Sequence, residues 1–247
     1  MMSNYDMIIS LGGNCSAATH LRRRGLRPYS LPFDWLYMED GHTIDYLKIG
    51  FKNGFSDFCL KENLIPISKS GQGEAGTARY AYKDTISGYC FVHHFHKSIE
   101  EGGYDAVYDT LKRRMQRMFS RIESARSILF LLATAFPYSF DKADELLKIL
   151  RDMYCDKTID LFVEQKGTTF SDDSIIGRKI IGYGFDGEVY SAGHATPDWA
   201  FLDKISLNGA SQKPIKGIDK LYYKLWKSLS RRFLIGGYAL DKLSYRK

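Results

Sequence analysis

Residues 7–24 read MIISLGGNCSAATHLRRR, and the fold class follows from how that stretch is punctuated. Met7 to Leu11 is short, largely apolar and closed by Gly12-Gly13, the pattern of a buried strand that ends in a sharp turn. Ser16 to Arg24 then predicts a helix, with Asn14 as its N-cap and Gly25 ending it. Outward from this unit the alternation continues. Tyr89–His94 predicts a strand and Tyr104–Ser124 the longest helix, with Val107, Leu111, Met115, Met118 and Phe119 as its apolar stripe. The run SILFLLATA, Ser127–Ala135, has the composition of a strand covered on both faces. In Asp141–Met153, Ala143, Leu146, Leu147 and Leu150 fall at i, i+3, i+4 and i+7, one face of a helix. Ile159–Val163 and Lys179–Tyr183 predict further buried strands, His42–Ile49 a short helix, and Lys220–Phe233 a basic amphipathic helix. Residues 60–88, with Gly71, Gly73 and Gly76, read as a long loop with room for one hairpin.

Strand and helix in this order predict an α/β fold: a three-layer, mostly parallel, Rossmann-like sheet with helices on both faces. With no internal repeat and no linker, residues 1–247 are expected to form a single domain. Hydrophobic residues make up 44% and charged residues 26% of the chain, which argues against disorder. The net charge of +6 is concentrated in three clusters: Arg22, Arg23, Arg24 and Arg27; Lys112, Arg113, Arg114, Arg117 and Arg121; and Lys220, Lys224, Lys227, Arg231 and Arg232. Each reads first as a solvated helix face. The last also suits peripheral contact with an anionic membrane through Lys220–Arg232, whereas no motif supports nucleic-acid binding. Neither a signal peptide nor an apolar run of about 20 residues is present, so a cytoplasmic protein with reduced thiols is expected. The four cysteines, Cys15, Cys59, Cys90 and Cys155, form no CxxC pair and no zinc ladder.

The chemistry centres on the first turn. In open α/β sheets, ligands bind at the carboxyl ends of the strands. Gly12 and Gly13 allow the backbone to approach a ligand closely or expose a side chain at the turn. Free N–H groups at a helix start favour an anion and lower the pKa of a thiol placed there. Cys15 therefore occupies a position where a nucleophilic thiolate and its oxyanion hole are readily built. The same position also suits a small buried cysteine at a close helix–sheet contact. The spacing is neither GxGxxG nor GxxxxGK[ST], so it is no nucleotide-binding signature.

Ser10-Leu11-Gly12 with Cys15, Leu21-Arg22-Arg23, Gly25-Leu26-Arg27 and Pro32-Phe33-Asp34-Trp35 together resemble the opening of a family of uncharacterised bacterial proteins labelled "putative papain-like cysteine peptidase". The His-rich segment Phe91–Phe95 resembles that family's histidine strand. The Gly13-Asn14-Cys15 turn is also similar to that of capsular-polysaccharide acetyltransferases that bind coenzyme A, and in position to the nucleophile turn of SGNH-type esterases, with Cys for Ser. The resemblance implies a cysteine-centred enzyme of acyl transfer or hydrolysis, nominally a peptidase. Papain itself opens a helix with its cysteine and has no preceding parallel strand. The alternating pattern here fits an SGNH-like acyltransferase or esterase better, acting on surface-polysaccharide precursors with coenzyme A as acyl donor.

A nucleophilic cysteine needs a base, usually His. His20 follows Cys15 by five residues and does not share its helix face; His42 lies in a polar turn. If Tyr89–Phe95 is a strand, His93 and His94 point to opposite faces and His96 shares a face with His94. The resemblance falls on His93, which ranks first, with His94 second. His194, in SAGHATPDW with Asp198 nearby, is the alternative base and orienter. Asp34, between two aromatic residues, reads as a buried anchor or as the orienter of a catalytic His. Gly12, Gly13, Asn14, Arg22 and Arg27 are expected to cradle phosphate or carboxylate groups. The rival reading keeps those residues and removes the chemistry: a binding or transferase module for a phosphate-bearing ligand such as a nucleotide sugar, with no covalent role for Cys15. No metal site is expected.

Overall fold

The apolar run that begins at Ser127 lies at the centre of a parallel sheet. The computed structural model describes residues 3–13, 16–38, 42–70, 79–134, 140–166, 181–185 and 202–208. In chain order its elements are β1 (Ser3–Tyr5), β2 (Met7–Ser10), α1 (Ser16–Arg23), β3 (Tyr37–Met38), α2 (His42–Asn53), β4 (Leu64–Ser70), β5 (Arg79–Asp84), β6 (Tyr89–Phe95), α3 (Tyr104–Ser124), β7 (Ser127–Thr134), α4 (Phe140–Met153), β8 (Thr158–Lys166), β9 (Ile181–Phe185) and β10 (Ile205–Leu207). The order β2-β7-β8-β9 makes one sheet, parallel throughout, and β7 and β8 pair over eight positions.

Both faces of this sheet are covered, which explains the unbroken apolar sequence of β7. Ile9, Phe130, Leu132, Leu161 and Val163 face one core together with Leu111, Met115, Met118 and Ile122 of α3 and Ala143, Leu146, Leu147 and Leu150 of α4. Ile8, Leu129, Leu131, Ala133 and Phe162 face the other, against Ala17 and Leu21 of α1 and Leu202. Each large side chain so buried contributes about 1.5–3 kcal/mol. The α3 stripe is as expected, with Val107 and Phe119 packed at its margin.

The remainder departs from a mostly parallel, Rossmann-like sheet. A second sheet, in the order β3-β6-β5-β4, is antiparallel throughout. The stretch read as a long loop with room for one hairpin, residues 60–88, supplies two of its strands, β4 and β5, which pair antiparallel. Their polar residues, Pro66 and bulge at Ile67 hide the alternation that marks a strand. Among the described strands of the parallel sheet the order runs one way without reversal, whereas a doubly wound fold reverses at its ligand crevice. The short strands β1, β3 and β10 carry too few residues for a periodic signal. The helix expected at Lys220–Phe233 lies outside the described residues. No described helix is long and apolar enough to cross a membrane.

What closes the β5–β6 turn is one buried carboxylate. Asp84 is fully buried and accepts from the N–H groups of Cys59 at 2.9 Å, Ile86 at 3.0 Å and Ser87 at 3.3 Å. Cys59 itself adopts φ +58°, a left-handed conformation costly for a residue with a side chain, and its carbonyl accepts from Tyr104 Oη at 3.0 Å. Replacing Asp84 with Ala leaves three N–H groups without an acceptor, at about 1–3 kcal/mol for each that stays buried. The expected outcome for Asp84→Ala is a loss of about 3 kcal/mol or more, read as a lower urea midpoint with an unchanged slope; Asp84→Asn, which keeps one acceptor oxygen, loses less.

Candidate functional site

The strand-end glycines form the geometric centre of the site. Gly12 and Gly13 both have positive φ, +81° and +99°, conformations that favour glycine. The ladder with β7 persists through the turn: Leu11 N–H donates to Leu131 O at 2.7 Å and Ala133 N–H to Gly12 O at 3.2 Å. Gly13 then crosses to the second sheet, where its carbonyl accepts from Met38 N–H at 3.2 Å and it bridges Tyr37. A Cβ at Gly12 would lie 3.0 Å from Tyr89 Cε1, 3.1 Å from Phe33 O and 3.4 Å from Leu36 O. Tyr89, fully buried, donates its hydroxyl to Leu11 O and stacks on Phe33 at 5.4 Å. The turn is thus clamped from below by β6 and from the side by residues 33–38.

Helix α1 starts at Ser16, and Asn14 and Cys15 lie outside the described residues. The helix buries Ala17, Ala18 and Leu21. It ends as the sequence predicts, at Gly25 with φ +72°, where Gly25 N–H donates to Arg22 O and Leu26 N–H to Leu21 O, the double bond of a Schellman cap. His20 is buried, and its Nδ1 lies 3.1 Å from Arg24 Nη1. Arg24 pairs in turn with Asp203 at 2.6 Å, so His20 belongs to the packing of α1 and not to its open end.

Asp34 is an anchor. Its side chain is 1% exposed, and Oδ2 accepts from Arg27 Nε and Leu31 N–H, each at 2.7 Å. Burial raises the carboxyl's pKa, against the opposing pull of the Arg27 guanidinium and the Leu31 N–H. Arg27 also donates Nη2 to Ser30 Oγ at 2.7 Å and is 7% exposed. This arginine, expected to cradle a phosphate, holds the 27–36 loop together instead. Helix α3 grips the same loop: Arg117 donates to Ser30 O at 3.0 Å, Arg121 lies 5.0 Å from the centre of the Tyr29 ring, and the charge of Arg114 acts on Asp34. Part of the second basic cluster, read as a solvated face, is therefore a docking surface. The spacing of Arg114, Arg117 and Arg121 at i, i+3 and i+7 carried that signal.

The histidines sit on a distorted strand. Tyr80 pairs with Phe95 and Tyr82 with Phe91, so one residue of β5 opposes Val92, His93 and His94. These three are all half-buried, and the pairing of His93 and His94 with β5 is irregular. The His94 ring meets Phe91 edge-on at 5.5 Å. Burial first, then the charges of Arg114, His93 and His96, push its imidazole down to about 3. His42 is exposed, with Nε2 3.1 Å from Ile86 O. His194 and Asp198 lie outside the described residues, as do Lys220–Arg232. Among the described residues no group of three or more His, Cys, Asp or Glu is placed to hold a metal ion. Tyr89, Arg114 and Arg117 are the structural contributors that sequence reading missed; Tyr89 in an apolar strand reads only as core.

Comparison with known proteins adds an identity to this geometry. Residues 6–161 match the model of the family described as "Putative papain-like cysteine peptidase (DUF1796)", and the chain belongs to that family. The matched span holds Cys15, Asp34, His93 and His94 and ends before His194 and Asp198. The uncharacterized protein R408 of Acanthamoeba polyphaga mimivirus is 28% identical over 178 residues, covering 66% of this chain and 78% of that protein. No solved structure matches.

Two outcomes follow from the buried charges. Arg27→Ala strands the Asp34 carboxylate and is expected to cost about 3–5 kcal/mol, measured by urea unfolding. His94 stays neutral in the folded protein down to about 3, whereas the unfolded chain takes up a proton near 6.5. Its contribution to stability is full above the unfolded value and is lost as pH falls towards 3, with a slope of up to about 1.4 kcal/mol per pH unit. Between pH values of about 7 and 4, the stability of His94→Phe is expected to fall less steeply than that of the unmodified protein.

Proposed function

We propose that this family member is a cysteine-centred hydrolase or acyltransferase in which Cys15 is the nucleophile. The observation that carries the reading is the paired-glycine turn at the end of β2, clamped by Tyr89 and Phe33 and leading into α1, whose first described residue directly follows Cys15. The family description names a cysteine peptidase, and the turn is where a helix N-terminus stabilises a thiolate. Among the described cysteines, Cys59 offers no alternative, because burial pushes its thiol well above the usual range.

In this mechanism the Cys15 sulfur attacks a substrate carbonyl carbon, the C–S bond forms and the carbonyl electrons move onto oxygen. The N–H groups of Ser16 and Ala17, which a helix's first turn leaves without intrahelical acceptors, stabilise that oxyanion. Collapse expels the amine, alcohol or thiol, which leaves with the proton taken from Cys15. Water or an acceptor hydroxyl then releases the acyl group. His93 is the base: it lies within the matched span, whereas His194 and Asp198 lie beyond it. His94, held neutral to about 3, is a poor proton acceptor near neutral pH. Asp34 supports the loop beside the turn. Surface-polysaccharide precursors as acceptors, with coenzyme A carrying the acyl group, are the finer form of this reading. The buried Arg27–Asp34 pair weakens the rival binding module, which needs Arg27 for its ligand.

The test is the pH dependence of Cys15 alkylation by iodoacetamide, followed by mass spectrometry of the Cys15 peptide. An apparent pKa at least about one unit below 8.5 is expected for an activated thiol; an ordinary or inert thiol overturns the proposal. Protection by coenzyme A would assign the acyl donor.

A further inference from the structure

Beside α3 the surface is indented by a cleft of about 270 Å³, close to the lower end of the range of small-molecule sites, about 300–1,000 Å³. One wall is the turn that follows α2, residues 54–58, and the other is α3 from Tyr108 to Phe119. Phe55, Phe58, Leu111 and Met115, all buried, give the cleft an apolar floor.

The turn is held rigidly. Phe55 has φ +56°, a left-handed conformation costly for a residue with a side chain. Packing enforces it. The Phe55 ring fills the space over Gly50, where a Cβ would lie 2.1 Å from it. It also meets the rings of Phe33, Phe51 and Phe119 at 5.1, 5.1 and 6.1 Å. The Phe55 N–H donates to Gly50 O at 2.9 Å and to Asn53 Oδ1 at 3.0 Å. The cleft is therefore formed by the fold itself, which lowers the ordering cost of filling it.

Shape and charge together select the occupant. From Tyr108 to Phe119 is eleven steps of about 1.5 Å, roughly 16 Å along the α3 wall. So small a volume over that length is narrow, the shape of an unbranched chain and not of a fused ring system. Met115, itself unbranched, adapts its shape to such a chain. The polar groups lie at the rim. Lys112 and Gln116, about one turn apart on α3, are both exposed. Among the described residues Lys112 has no hydrogen bond or ion pair. Asp57, the acid of the turn, is engaged by Tyr46, whose hydroxyl donates to it at 2.9 Å.

We propose that this cleft binds an unbranched, medium-chain carboxylate, with its chain on the floor of Phe55, Phe58, Leu111 and Met115 and its carboxylate at Lys112. The site stands apart from the Cys15 reading, and neither depends on the other.

Isothermal titration calorimetry of the full chain with hexanoate, octanoate and decanoate tests this. Saturable one-to-one binding is expected, tightening about fourfold for each added CH₂ that enters the cleft, the equivalent of about 0.8 kcal/mol. Lys112→Gln is expected to weaken octanoate about twofold to fivefold, the range of a solvent-exposed ion pair, and to leave the neutral octanol unchanged. Lys112→Glu weakens octanoate further and binds octylammonium more tightly than the unmodified protein does, an exchange that a merely structural lysine would not produce. Lys112 is exposed and pairs with no described residue, so both variants keep the fold, which an unchanged urea midpoint checks. Absence of saturable binding overturns the proposal, as does octanoate binding that neither variant alters. Equal affinity for octanoate and octanol overturns the assignment of a carboxylate.

Discussion

Gly12 has no space for a side chain, and the two sheets meet because of it. The turn at the end of β2 must pass under the Tyr89 ring and against the carbonyls of Phe33 and Leu36, while its backbone still completes the ladder to β7. Only a residue without Cβ, at positive φ, meets both conditions. The Tyr89 hydroxyl closes the contact on Leu11 O. A parallel sheet and an antiparallel one are joined at the residues that lead to Cys15, so the packing of both cores positions that turn.

Around the clamp the protein distributes positive charge by function. Arg27 is enclosed with Asp34; Arg117 and Arg121 attach the loop to α3; Arg114 stands within electrostatic reach of both Asp34 and His94. A buried ion pair gains little net stability over apolar packing, but removing one partner is costly. The arrangement therefore works as a register device: the 27–36 loop has one seat on the body, and Trp35 and Tyr37 are carried to the turn by that seat. Burial first, and these cationic surroundings second, keep His94 uncharged.

The parallel core was legible because its signals were long. SILFLLATA at Ser127 and the stripe of Ala143, Leu146, Leu147 and Leu150 each repeat over two turns or more, and the Gly25 stop of α1 is a matter of local backbone chemistry. Of the antiparallel sheet, β6 and room for a hairpin were legible, but the bounds of β4 and β5 were not, because β4 interrupts its own alternation with Pro66 and a bulge, and Asp84 reaches back to the N–H of Cys59. At the site, the glycine turn and the PFDW box were visible as motifs. The pairing of Arg27 with Asp34 was not, since it depends on the path of the loop between them. The bulge at His93–His94 also escaped, because pairing irregularities are set by the neighbouring strand.

The pairing of β1 with β10 places Ser3 beside Ile205, and it bears on how the chain is made. Translation at about 5–20 residues per second means that the first strand waits roughly 10–40 s for its partner to leave the ribosome. For the first part of that interval, until β7 follows about 120 residues later, β2 offers an unpaired edge beside a nascent chain. The order of synthesis thus runs against the order of pairing, and β1 meets its partner only after the whole matched family span, and some forty residues more, have followed.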